Sequence, residues 1–189
     1  MSPDTRPTIV IADDNPDVVD VHVEWLSANY EILTATGGEA ALKVIDESVD
    51  VVLLDRRMPD LSGDVVLDRL RSRGFDGMVA MITAVKPEED IVGLPFDDYV
   101  CKPVKRAELE RTVSSLLQRA KYNRQRQRCY RLATKLALLE TSISQSRLET
   151  NPDYRKLKEQ LTNAQAEAHQ TLESMIETET DPLAYADIG

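Results

Sequence analysis

The stretch "VVLLDRRMPDLSG" (51–63) ends four aliphatic residues with a charge at Asp55, followed by two arginines, Met-Pro and a Ser-Gly turn. A run this short and apolar fits a strand covered on both faces, as in a parallel sheet. Asp55 then sits at the strand's carboxyl end, the edge where open α/β sheets bind ligands because the loops leave a crevice there. Other residues able to do chemistry end similar runs. Asp13 and Asp14 follow "TIVIA" (8–12), Thr83 ends "MVAMIT" (78–83) and Lys102 ends "DYVCK" (98–102). Carboxylates gathered at one edge repel each other and demand a cation. Magnesium suits oxygen-only donors because it is hard, octahedral and retains exchangeable waters. Taken singly, each residue has a plainer reading. An acidic pair is usually a solvated turn, Thr83 a β-branched strand residue, Tyr99 a partly buried aromatic and Lys102 a surface lysine.

The elements that must position these residues show in the hydrophobic pattern. With "EILTA" (31–35) there are five short apolar runs in the first hundred residues, separated by segments with helical spacing. Asn15 and Pro16 form a cap and first-turn pair, Gly37–Gly38 precede "EAALKVIDE", and Ser62–Gly63 precede "DVVLDRLRSR". A fourth helix is expected near "PEEDIVGL", cut short by Gly93 and Pro95. Strand and helix alternate five times, which implies an α/β fold with a doubly wound parallel sheet and right-handed crossovers. From 104 to 147 there is no Gly or Pro, permitting one helix of roughly 40 residues, about 60 Å long. "ETNPDY" breaks it, with Asn151 as cap and Pro152 at the first helical position, and a second helix should run to about Glu177. The expected division is 1–120, 121–180 and a frayed tail, 181–189.

Charge changes sign twice along the chain. Residues 1–103 carry 9 basic and 21 acidic groups, 104–139 carry 10 and 2, and 140–189 carry 4 and 10. The acidic first segment argues against a general nucleic-acid or membrane role, and the acidity resembles that of proteins from salt-loving cytoplasms. No apolar run approaches the roughly 20 residues of a membrane helix, and "MSPDTRPTIV" lacks a signal peptide's apolar stretch, so a cytoplasmic location is expected. Cys101 and Cys129 lack metal-ligand spacing and read as small apolar fillers, and His22 and His169 as surface residues.

"IVIADDNP", "VVLLDRRMPDLSG", "MITA" and "DDYVCKPV" resemble, in order and spacing, the four signature stretches of response-regulator receiver domains over residues 8–104. The resemblance implies a flavodoxin-like five-stranded sheet of order 2-1-3-4-5, accepting a phosphoryl group on an aspartate from a histidine kinase. Strands one and three are then neighbours, which brings Asp13, Asp14 and Asp55 to one edge. By this resemblance Asp14, Asp55 and the backbone carbonyl of Arg57 hold Mg directly, and Asp13 acts through water. Asp55 is the phosphoacceptor, forming an acyl phosphate as carboxylate nucleophiles do. Lys102 supplies positive charge, Thr83 a hydroxyl for a phosphate oxygen, Tyr99 the aromatic switch, and Pro103 follows a cis bond. The chain is then no enzyme but a phosphoacceptor assisting its own Mg-dependent phosphoryl transfer and dephosphorylation. Arg56 and Arg57 are more basic than this pattern leads one to expect.

In the long helix Tyr122, Cys129, Leu132, Leu136, Leu139 and Ile143 follow three-four spacing, with Gln125 as the polar exception. Tyr154, Leu157, Leu161, Ala164, Ala168, Thr171 and Met175 do the same in the second. A fold-back at Asn151 pairs Ile143 with Tyr154, Leu136 with Leu161, Cys129 with Ala168 and Tyr122 with Met175, alternating with Leu139–Leu157 and Leu132–Ala164. An antiparallel helical hairpin continuous with the fifth helix follows. Its sequence, notably "RLATKLALLETS" and "NPDYRKLKEQL", is similar to the HalX domain attached to receivers in haloarchaea. Two narrow helices bury little area, so a homodimer burying Tyr130, Ala133 and Ala137 is expected. Lys121, Arg124, Arg128, Arg131 and Lys135 form a basic face, read as solvated or acid-paired in preference to DNA-binding. The expected function is a phosphorylation switch acting on the helical module. Alternatives are a DNA-binding transcriptional regulator, an output-less phosphorelay or sink component, and a magnesium phosphohydrolase, which the Thr83–Lys102 pair disfavours.

Overall fold

The computed structural model describes residues 6–87 and 91–179. The chain divides between Leu117 and Gln118 into two compact units. The expected tail, 181–189, lies outside the described residues.

In the first unit, strands β1 (Thr8–Ala12), β2 (Glu31–Ala35), β3 (Val51–Leu54), β4 (Met78–Thr83) and β5 (Asp98–Cys101) pair in parallel in the order β2-β1-β3-β4-β5. This is the expected five-stranded, doubly wound sheet. Every residue of β3 and β4 is buried, as a central parallel strand requires. Strand alternation splits those side chains between two faces. Val10, Ala12, Val52, Leu54, Val79 and Met81 pack with Ala41, Val66, Leu67 and Leu70 from helices α2 (Gly38–Val44) and α3 (Gly63–Ser72). Ile9, Ile11, Val51, Leu53 and Ala80, on the other face, are equally closed to water.

The helix ends follow local chemistry. Asn15 caps α1 (Pro16–Leu26), its Oδ1 accepting the Asp17 N–H at 3.0 Å with Pro16 in the first turn. α3 stops at Gly74, the only described residue in the left-handed region (φ 80°). Phe75 N–H then reaches Leu70 O and Gly74 N–H reaches Arg71 O, both at 3.0 Å, closing a Schellman motif that buries Phe75. The expected fourth helix is not found among the described residues. Residues 88–90 of that stretch lie outside the described residues; after them the Leu94 N–H donates to Ile91 O at 3.0 Å in a tight turn.

Arg71 ties the lower edge of β4 to the approach of β5. Its guanidinium donates to Phe75 O (2.9 Å), Gly77 O (2.7 Å), Pro95 O (3.1 Å) and Asp97 Oδ2 (2.6 Å), and Asp97 Oδ2 also accepts the Val79 N–H (2.8 Å). Charge-assisted bonds in partly buried surroundings are strong, and unpaired acceptors there are costly.

Helix α4 (Arg106–Ser142) supplies buried Leu109, Val113 and Leu116 in the first unit and continues into the second. It is shorter than the 104–147 expected. The chain turns extended at Ser144 and re-enters a short helix, α5 (Gln145–Glu149), because Leu148 there is buried with Leu136, Tyr154 and Leu157. Asn151 caps α6 (Pro152–Glu179), accepting the Asp153 N–H at 2.8 Å and the Tyr154 N–H at 3.2 Å. Glu140 meets the Tyr154 hydroxyl (2.6 Å) and Arg128 meets Glu167 (3.3 Å), so contacts move back along α4 as they advance along α6. The helices are antiparallel, and the expected seam positions on both are the buried or half-buried ones. Gln125 lies in that seam with its Oε1 buried and without a hydrogen-bond partner. Cys129 is half-buried, whereas Cys101 is exposed at the end of an edge strand and is not an apolar filler.

Two outcomes are expected. Arg71→Met should cost about 2 to 4 kcal/mol of stability in urea unfolding, since it strands several acceptors at once; an unchanged midpoint would contradict the role given to Arg71. Gln125→Leu should raise hairpin stability by about 1 kcal/mol, read from the helical signal on heating.

Candidate functional site

Asp13 follows β1, Asp55 follows β3, and Lys102 follows β5, so strand order alone brings three charges to the carboxyl edge of the sheet. Lys102 Nζ donates to Asp13 Oδ2 at 2.6 Å and to Asp55 Oδ1 at 2.7 Å. Asp13 and Asp55 are only 3% and 5% exposed, so this ammonium is their chief neutralising charge. The second oxygens are held by backbone: Asp13 Oδ1 accepts the Asn15 N–H (3.0 Å), and Asp55 Oδ2 accepts the Arg57 N–H (2.6 Å). The Lys102–Pro103 bond is cis, as the resemblance implied.

Burial pushes the Asp55 carboxyl above its ordinary range; Lys102 and the Arg57 N–H work against that, and Asp13 adds to it. Burial alone would lower Lys102, but its hydrogen bonds and charge attraction to Asp13 and Asp55 outweigh it and hold the ammonium above its ordinary value.

Asp14, the third expected acid, is exposed on the bend that follows β1. Among the described residues no three His, Cys, Asp or Glu side chains stand close enough to hold a metal ion. The cation between Asp13 and Asp55 in this structure is the Lys102 ammonium. The donor chemistry fits magnesium in that Asp13 and Asp55 already present hard oxygens to one cation, with Asp14 the next residue along. Of Arg57, the structure shows the N–H donating to Asp55.

Thr83 is 1% exposed at the end of β4, its Oγ1 accepting the Val85 N–H at 3.3 Å. The Tyr99 hydroxyl donates to Val85 O at 2.8 Å, and its ring meets Phe96 at 5.5 Å between centroids. The two expected switch residues therefore hold the two sides of a single residue.

Several participants escaped the sequence reading. His22 is buried on α1 beside Trp25, not on the surface. Burial lowers it, Asp13 opposes that and Lys102 adds to it, which places it electrically near the site. Its helical spacing with Val19 and Leu26 was the available signal. Asp60 reaches from the loop after β3 to the start of α2, accepting the Gly38 N–H (3.0 Å) and the Glu39 N–H (2.9 Å). A side chain on Gly37 would strike that carboxylate. Arg56 is buried and forked onto Asp64. His169 is exposed as expected, but pairs with Glu173 at 3.2 Å.

In the helical unit Lys121, Arg124, Arg128, Arg131 and Lys135 are all exposed. Arg128 is tied to Glu167, an exposed pair worth little. No described helix is long and apolar enough to cross a membrane.

Residues 9–114 match the model of the response regulator receiver domain, over half the chain, and residues 118–183 that of the HalX domain. The chain belongs to the response regulator receiver family. A HalX domain follows its receiver domain. A putative transcriptional regulator of Haloferax volcanii is 50% identical over 113 residues, covering 59% of this chain and 19% of that protein. Response regulator SaeR of Staphylococcus epidermidis is 31% identical over 115 residues, covering 59% and 50%. The chain thus spans half or less of these curated relatives. Among solved structures, response regulator TrrA from Thermotoga maritima in complex with Mg(2+)-BeF is 32% identical with a TM-score of 0.51, covering 59% of this chain and 99% of that one. The receiver domain of a LuxO repressor protein from Vibrio parahaemolyticus gives 25% and 0.58, covering 61% and 93%. Receiver domains are phosphorylatable, generally magnesium-dependent, and generally partner histidine kinases.

The Asp60 cap carries a pH signature. Hydrogen bonds from the Glu39 and Gly38 N–H groups lower its carboxyl below 3.8. A depressed group adds stability above its unfolded value and loses it as pH falls through the folded one. Asp60→Asn should therefore lower the thermal midpoint at neutral pH, and the difference from wild type should shrink as the pH is taken below 3.8.

Proposed function

We propose that this receiver accepts a phosphoryl group on Asp55 from a histidine kinase in the cytoplasm, and that this changes the pairing or partner binding of its helical module. The observation that carries the reading is the doubly held Asp55 carboxylate, buried at the end of β3 with Lys102 on one oxygen and the Arg57 N–H on the other.

An Asp55 oxygen attacks phosphorus, the P–N bond to the donor imidazole breaks, and the nitrogen leaves with the bond's electrons to take up a proton. The transition state is loose, so the protein contributes mainly position and charge. Asp13, Asp14 and Asp55 are the residues that would hold magnesium, which supplies neutralisation of phosphoryl oxygens when bound. Lys102 neutralises the remaining charge. By the same reading water removes the phosphoryl group later, and the chain is an acceptor, not an enzyme acting on others.

The product carries about two negative charges where one stood. Thr83 can donate its O–H to a phosphoryl oxygen while its Oγ1 still accepts the Val85 N–H, so a movement of Thr83 toward that oxygen would draw on Val85, whose carbonyl the Tyr99 hydroxyl grips. Phosphorylation thereby biases the segment after β4 between two arrangements. Tyr130 is 75% and Leu138 66% exposed on the outer side of α4, which supports a homodimer built on the helical module. A second reading, DNA binding by the basic face, draws support from the exposure of all five cations and from the name of the Haloferax relative.

Incubation with magnesium and a small phosphodonor should add one phosphoryl group, and Asp55→Asn should abolish it. Sedimentation of both forms should show a change in mass that only the wild type undergoes. Labelling that survives the substitution moves the acceptor elsewhere, and an identical mass with and without phosphate removes the dimer from the reading. Duplex binding that appears at low salt and fades as salt rises would favour the DNA reading.

A further inference from the structure

We propose that Arg56 and Asp64 form a positioning pair that fixes the peptide following the phosphoacceptor, keeping the Arg57 N–H aimed at the Asp55 carboxylate. The inference rests on the reading of Asp55 given above.

Arg56 is 8% exposed, an unusual place for a guanidinium. A buried charge is tolerated only when paired and hydrogen-bonded. Here Nε donates to Asp64 Oδ1 (2.9 Å) and Oδ2 (3.1 Å), and Nη2 donates to Asp64 Oδ2 (3.0 Å). Asp64 lies in the first turn of α3, where a carboxylate is also favoured by the helix dipole. Such pairs often contribute no more stability than apolar residues of like volume, so what this one supplies is geometry.

The main chain is pinned at the same place. The Gly63 N–H donates to Arg56 O at 2.9 Å. A Cβ on Gly63 would collide with the Asp55 carbonyl oxygen and lie 2.9 Å from Arg56 Cα, so only glycine lets α3 seat directly on this peptide. Residue 56 is thus gripped by its side chain and its carbonyl, both from the first residues of α3. The next residue delivers the 2.6 Å hydrogen bond to Asp55 Oδ2. At the other end of the loop Asp60 is fastened to the start of α2. Without the Arg56–Asp64 fork, residue 56 loses its side-chain tie to α3, and the Arg57 N–H gains freedom that Asp55 can ill tolerate. Misplacement of a reacting group by about 1 Å can cost about a hundredfold in rate. Partial loosening should cost less.

The test compares wild type with Asp64→Ala, Arg56→Ala, Arg56→Lys and the apolar exchange Arg56→Met/Asp64→Leu. Each is treated with magnesium and a small phosphodonor at varied concentration, while amide exchange at Arg57 and within β3 is followed by NMR. The expected result for Asp64→Ala is a maximal rate lower by about tenfold, an unchanged half-saturating donor concentration, and faster exchange at Arg57 with β3 unaltered. Arg56→Lys should recover part of the rate lost in Arg56→Ala. The apolar exchange should fold as well as wild type yet stay slow, which separates positioning from stability. Wild-type rates and Arg57 exchange in Asp64→Ala or in the apolar exchange overturn the proposal. If wild type itself takes no phosphate, the reading of Asp55 fails, and the Arg57 exchange still decides whether the pair holds the loop.

Discussion

One ammonium between two carboxylates organises the functional end of this receiver. Lys102 touches Asp13 and Asp55 at 2.6 and 2.7 Å, and both acids are almost closed to water. Charges in such surroundings are unstable unless paired, so the pairing dictates where the ends of β1, β3 and β5 must lie. The sheet order places β1 beside β3, and the chain after β5 carries Lys102 across to meet them. Asp55 remains raised even so.

Around this pair the backbone is secured loop by loop. The segment after β3 is fastened at its base by Gly63, Arg56 and Asp64 and at its tip by Asp60 on α2. Just after β4, Val85 is held by Thr83 on its N–H and by Tyr99 and Cys101 on its carbonyl. On the proposed reading, the fastened loop after β3 keeps the geometry of transfer and a shift at Val85 would report it.

Much of this was legible in the sequence because burial writes itself in short apolar runs. The five strands, their parallel order and the seam of the hairpin from Tyr122 to Ile143 all follow from periodicity and the receiver resemblance. Charge geometry was less legible. Asp14 reads like Asp13 but faces water. His22 reads as a surface residue by its type, yet its spacing with Val19 and Leu26 puts it inside. Arg56 and Asp64 are separated by a loop, and nothing in either residue type announces that one guanidinium will be buried on the other.

The central claim is that Asp55, among three acids at one sheet edge, is the residue that becomes esterified. Treatment with magnesium and a small phosphodonor, reductive trapping of the acyl phosphate and peptide mapping would test it directly. Homoserine is expected at position 55 alone. Homoserine at 13 or 14, or an intact aspartate at all three positions, would contradict it.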